Sequence, residues 1–273
     1  MQDTSVRETV RTPSPLYRPE VLMMGSSHAA TGVLAGAATG VLCGSDPADV
    51  LLCAAVGAGA ALLPDLDEPG STVGRSLGLV TEKMSERLRD ASRSVYLRTA
   101  TEVELAEDKD GAHRYLTHTI PACAAFGLVA LMAAIAPLGT GLVVFAMAAL
   151  GLGTVARSLK KWGPLRKRRI AASVAAVVIA AGSMFAEGGG PAPWLIGVTI
   201  AIGALTHVLG DWLTRSGVPL AWPFVVRGKR WWMFRSPVAF HTGKSWVEDG
   251  IRWASLAGLP LMLVLSSPPP TVA

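Results

Sequence analysis

Seven apolar runs recur along the chain, at about 29–43, 50–63, 119–137, 140–156, 170–186, 193–210 and 254–266. The third to sixth approach the roughly 17–25 residues that a bilayer-spanning helix needs. The first two and the last are shorter, which suits tilted, re-entrant or neighbour-covered helices and gives four to seven spans. The predicted fold class is therefore all-α, a polytopic helical membrane protein. Between the runs the pattern turns polar. In "EKMSERLRDASRSVYLR", Met84, Leu88, Ala91 and Val95 recur at helical spacing and predict an amphipathic surface helix. It lies in a polar insert, 74–112, that closes on the acidic linker "ELAEDKDGAH".

Composition agrees with this pattern. The chain is 51% hydrophobic and only 16% charged, where a soluble domain carries about a quarter charged residues. Cys43, Cys53 and Cys123 lie singly in apolar stretches and read as small hydrophobes, not as a disulfide or zinc framework. Residues 1–23 are polar and rich in Thr, Pro and Arg, without the form of a signal peptide. They read as a disordered tail before a membrane-bound domain at 24–267, with Met23 or Met24 as a second candidate start.

Charge orients the spans. "RSLKKWGPLRKRR" (157–169) holds seven Lys/Arg and no acid, so the positive-inside rule makes this loop cytoplasmic. "PLGTG" (137–141) and "EGGGPAP" (187–193) lack basic residues and suit the opposite face. Alternation then puts 65–118 and 211–253 on the cytoplasmic side. The five histidines and the carboxylates beside them all fall there. His28 opens the first run and "LLPDLD" closes the second. "HRYLTH" opens the third, His207 and Asp211 close the sixth, and His241 follows.

His207 and Asp211 stand one helical turn apart on one face. His28 heads a ladder of Gly32, Gly36 and Gly40, and Gly203 precedes His207 at the same step. Small residues at this spacing let membrane helices approach closely, so both histidines share a protein-packed face. Imidazole and carboxylate converging there make a first shell for zinc or a similar divalent ion. Asp65 is the preferred ligand of "PDLD", with Asp67 either ligating or orienting a histidine. Pro121 suits a first helical turn, so a helix is expected to start near Thr117. His113 would precede it, His118 would open it, and Arg114 would bind an anionic oxygen. Each group has a structural alternative: an interhelical hydrogen bond for His207 and Asp211, turn formation for the aspartates, headgroup contact for His113 and His118. Their common sidedness favours the metal.

The ordered set "SSHAATG", "LLPDLDEPGSTVGR", "HRYLTH" and "THVLGDWLTRSGVPLAWPF" resembles the YdjM-like family of inner-membrane metal-dependent hydrolases, over about residues 24–250. That family is in turn distantly similar to the helical zinc phospholipase C and P1 nuclease group. The resemblance implies His28, Asp65, His113, His118, His207 and Asp211 as metal ligands, Asp67 as a further ligand or the base, and a phosphoester or lipid-linked substrate. His241 stays outside this set.

Residues 212–253 hold six of the eight tryptophans among basic residues, a mixture expected at lipid headgroups. Membrane lipids are thus the expected partners and nucleic acid is not, although stacking on RNA or DNA uses the same residue types. No Walker A loop, GxSxG or HExxH occurs. Two rivals use the same residues. An ion- or proton-coupled transporter would need groups reachable from both faces, and a structural protein would use them only to lock helices together.

Overall fold

The computed structural model describes residues 20–44, 46–71, 73, 74, 76, 79–107, 109–159, 163–185, 190–238 and 246–267. The expected N-terminal tail (apart from the start of the first helix), residues 160–162 of the basic loop and His241 lie outside them.

The described elements are helical: α1 (Glu20–Cys43), α2 (Pro47–Ala60), α3 (Leu79–Thr99), α4 (Glu102–Leu105), α5 (Ile120–Ala133), α6 (Pro137–Ser158), α7 (Leu165–Phe185), α8 (Pro193–Trp212) and α9 (Trp246–Ser266), with 3₁₀ turns at Pro64–Asp67 and Leu116–His118. Extended pairing among the described residues is confined to isolated bridges in 218–234. Four segments are long and apolar enough to cross a membrane: Pro47–Asp67, Pro137–Ser158, Leu165–Phe185 and Pro193–Trp212.

Four runs depart from the lengths expected of them, and α1 and α9, with 24 and 21 residues, are longer than the first and last runs. The second gains length, because the 3₁₀ turn over "PDLD" carries the segment begun by α2 on to Asp67, 21 residues in all. The third loses it: α5 has 14 residues, about 21 Å at helical rise, short of a hydrocarbon core of about 30 Å. Thr119 caps its start, accepting a hydrogen bond from the Ala122 amide, so the helix opens at Ile120, three residues later than expected. Its end lies at Ala134, ahead of Pro137, which sits in the opening turn of α6. Proline lacks the amide a continuing helix would need.

Small residues set the packing. An added Cβ at Gly36 would strike the Cys53 carbonyl, one at Gly40 would lie 2.6 Å from Val50 Cα, and one at Gly203 would lie 2.7 Å from Ala60 Cβ. The glycine ladders of α1 and α8 therefore bring both helices against α2 at backbone distance. On the other side of α2, a Cβ at Gly151 of α6 would come within 2.6 Å of the Gly59 amide nitrogen. This close stacking allows side chains from α1, α2 and α8 to meet at one end of the bundle.

That end is covered by α3, α4 and the segment 213–238. The buried stripe of α3 is Thr81, Ser85, Ser92 and Tyr96, whereas Met84 is 44% exposed and Ala91 is also exposed. Of the expected apolar stripe, Met84 and Ala91 thus face solvent, while Leu88 and Val95 are half-buried and pack against core side chains. The helix faces polar loop backbone, so small hydroxyl residues win: Ser92 Oγ donates to the Gly111 carbonyl (2.8 Å) and accepts from the Leu116 amide (3.2 Å). Gly111 has φ +67, and a side chain there would run into the Tyr96 ring. Trp231, expected among headgroups, is instead buried against Tyr96 and Tyr115. Its Nε1 donates to Thr99 Oγ1 (3.1 Å), and its amide donates to the buried Glu104 carboxylate (2.6 Å).

Candidate metal centre

Five of the sequence-derived residues meet at the covered end. His28 comes from the first turns of α1, Asp65 from the 3₁₀ turn after α2, His118 from the turn before α5, and His207 and Asp211 from the last turns of α8. Asp211 is the hub. Its Oδ1 lies 3.5 Å from His28 Nε2 and 3.3 Å from Arg114 Nη2, and its Oδ2 lies 3.4 Å from His118 Nε2 and 3.7 Å from His207 Nε2. Asp65 Oδ1 faces the same nitrogens from the other side, 3.8 Å from His118 Nε2 and 3.5 Å from His207 Nε2. Two trios, His28–His207–Asp211 and Asp65–His118–His207, each hold their ligand atoms within 4.8 Å of one another. His207 belongs to both.

The outer ring nitrogens fix the tautomers. His207 Nδ1 lies 2.7 Å from the Ala61 carbonyl, which can only accept, so that nitrogen carries the proton and Nε2 presents a lone pair. Thr117 Oγ1 donates to Asp67 Oδ2 (2.7 Å) and stands 3.0 Å from His118 Nδ1. Having spent its proton on the carboxylate, the hydroxyl accepts from His118 Nδ1–H, which again leaves Nε2 bare. His28 stacks on His207 with centroids 3.9 Å apart. Gly210 makes room for it, since a Cβ there would lie 2.9 Å from His28 Cε1.

Four buried atoms in the middle have no hydrogen-bond partner: His118 Nε2, His207 Nε2 and both oxygens of Asp211. Leaving a buried polar atom unpaired costs about 1–3 kcal/mol, more for a charged one. These are lone-pair atoms of the types that zinc takes, at separations a single small cation can bridge. The residues present fit a divalent ion. Formal charge argues the same way. Asp67 pairs with His113 and Arg114 with Asp211, which leaves Asp65 facing only the imidazoles of His118 and His207.

Asp67 and His113 stand outside both trios. Asp67 is fully buried, and its oxygens are taken by His113 Nδ1 (2.8 Å) and Thr117 Oγ1. It lies one bond removed from the cluster, in the position of a residue that orients ligands. Burial pulls the His113 imidazole down, but the hydrogen bond and charge of Asp67 outweigh it and hold its pKa above the ordinary histidine value. For His118 burial wins, and its pKa falls below the ordinary value. A neutral ring is the ligating form.

Arg114 adopts φ +63, a conformation few non-glycine residues take. It turns the chain so that neighbouring side chains diverge: His113 goes to Asp67, while Arg114 reaches Asp211 and Thr214 Oγ1 (3.2 Å). Thr117, Thr214 and the Ala61 carbonyl complete the site and were not singled out in the sequence. Thr117 carried a signal, standing between the histidines of "HRYLTH" beside one of them. A backbone carbonyl carries none.

A family model described as YdjM inner membrane protein matches residues 23–267. The chain belongs to this family. The match covers all eight residues of the cluster and its rim, along with the four segments able to cross a membrane, as an inner membrane protein requires. No curated protein and no solved structure matches the chain.

Proposed function

We propose that the protein is a multi-pass membrane hydrolase that uses a divalent metal, zinc first among them, to cleave a phosphoester. The observation that carries this reading is the set of four buried lone-pair atoms without a hydrogen-bond partner at the centre of the His/Asp cluster, where Asp211 Oδ1 meets Arg114 as an ion pair. His28, Asp65, His118, His207 and Asp211 would hold the ion. When bound, it would supply Lewis acidity, acidifying water and polarising the scissile group.

The chain's own residues do the rest. Arg114, whose side chain is 16% exposed, is within reach of an anionic oxygen at the mouth of the site. His113 is 31% exposed, with Nδ1 bound to Asp67, so a proton on its outer nitrogen can pass to a leaving oxygen. Asp67, with both oxygens engaged, acts by holding His113 and, through Thr117, His118. That replaces the role of base that the resemblance offered it. Convergence of all these groups at one end of the bundle favours hydrolysis over transport, which needs access from both faces.

The test is metal dependence on a generic ester. Purified protein is expected to hydrolyse bis(p-nitrophenyl) phosphate or p-nitrophenyl phosphate, to lose activity with chelator and to regain it with zinc. Undiminished turnover in chelator refutes the metal mechanism; no turnover of either ester by zinc-loaded protein refutes the phosphoester reading.

The basic segment 163–169 at the start of α7 supports a cytoplasmic site, and Cys43, exposed at the far end of α1, supplies an internal reference. In right-side-out vesicles an impermeant maleimide should label Cys43 and spare an Arg166→Cys substitution. The reverse pattern overturns the orientation.

A further inference from the structure

A cavity of about 300 Å³ lies between the first turns of α1 and α9 and the last turns of α8. His28 is on its wall, so it shares a side chain with the metal centre. Thr214 is also on its wall and accepts a hydrogen bond from Arg114, the cation facing Asp211. The cavity therefore touches the ligand set at His28 and ends one hydrogen bond from Arg114, at Thr214. Away from that end its lining is Leu209, Trp212, Leu213 and Ile251. Leu209 is 45% exposed on the flank of α8, one of the segments able to cross a membrane. Glu248, the acid on its wall, accepts from Ser27 Oγ (2.9 Å), which ties α9 to α1 behind His28. Gly210 keeps the floor low, since only its missing side chain lets His28 form the wall.

An apolar trough with a cation and a candidate metal at one end and a membrane-facing flank at the other matches one type of molecule. We infer that this groove takes the hydrocarbon chain of a phosphate-bearing membrane lipid, with the phosphate at Arg114 and the metal centre. The inference rests on the hydrolase reading and specifies its substrate class. A chain drawn sideways from the bilayer stays in apolar surroundings throughout. Selection falls on the phosphate, whose charge complements Arg114 and the cation site. The small volume admits one chain and excludes bulky polar polymers.

Photo-crosslinking tests this without relying on turnover. The probe is the non-hydrolysable phosphonate analogue of phosphatidic acid with a diazirine on its acyl chain, incorporated into nanodiscs with the zinc-loaded full-length protein. Labels are expected at Leu209, Leu213 and Ile251, competed by unlabelled phosphatidic acid but not by diacylglycerol of the same chains. Ile251→Trp, and independently Thr206→Trp, should fill the groove and abolish these labels while metal content stays unchanged. Diffuse labelling over α6 and α7 that neither variant alters overturns the groove, and with full metal content it does so without touching the hydrolase site. Groove labelling on a protein that binds no metal refutes the site and, with it, the substrate assignment. Equal competition by diacylglycerol overturns the phosphate.

Discussion

Asp211→Asn is expected to lower metal affinity by more than about 100-fold, beyond the roughly 10–100-fold loss typical when a residue behind the ligands is changed. Among the described residues, this carboxylate alone faces His28, His118, His207 and Arg114 together. Asparagine fills the same space but removes the charge and turns one oxygen into a donor. That donor points at imidazole nitrogens whose lone pairs are aimed into the site. Arg114 would lose its acid as well, so some destabilisation should accompany the loss of metal. Isothermal titration with zinc, alongside a thermal melt of the metal-free protein, separates the two effects. Wild-type affinity in Asp211→Asn removes Asp211 from the site.

Asp67→Asn should cost about 10–100-fold in metal affinity without touching a ligand. The carboxylate accepts from His113 on one oxygen and from Thr117 on the other. An amide can accept only on one side. If its NH₂ faces Thr117, the hydroxyl must accept from it and turn its own proton on His118 Nδ1, driving the His118 proton to Nε2 where the metal should bind. If the NH₂ faces His113, that imidazole must accept at Nδ1 and gives up its positive charge. Thr117→Ser keeps the hydroxyl relay and should retain affinity, while Thr117→Val should reproduce the Asp67→Asn loss. A purely packing role predicts the opposite ranking, because valine preserves the threonine shape. Zinc titration of the three variants checks it.

The parts of the site that were legible in the sequence are those in which a local rule determines geometry. A His and an Asp at i and i+4 must share a helical face, and glycines at the same step announce the close contact that buries it. Positive charge between α6 and α7 gave the sidedness that grouped distant histidines before any contact was visible. What stayed hidden depends on tertiary partners. Nothing in the local pattern says that His28 stacks on His207, that the Ala61 carbonyl takes the His207 proton, or that His113 turns away to Asp67 at a residue of positive φ. The stripe on α3 held at Leu88 and Val95, which pack inward, and failed at Met84 and Ala91, because apolar periodicity assumes an apolar partner along the whole face. Here the helix covers loop backbone, and Ser92 and Tyr96 face inward to bond it. The turn at Pro137 was legible, but the third run overstated its length, because hydropathy does not register that the helix opens behind the Thr119 cap and closes at Ala134.

The central claim is that His28, Asp65, His118, His207 and Asp211 bind a divalent cation. X-ray absorption at the zinc edge, on protein loaded with zinc and stripped of excess, tests it most directly. The account predicts at least one zinc per chain in a shell of nitrogen and oxygen at about 2.0–2.2 Å, with imidazole scattering from at least two rings. That signal should vanish in His207→Ala, the variant that breaks both trios. A protein that retains no zinc, or one whose zinc shell contains sulfur from a cysteine and survives His207→Ala, would contradict it.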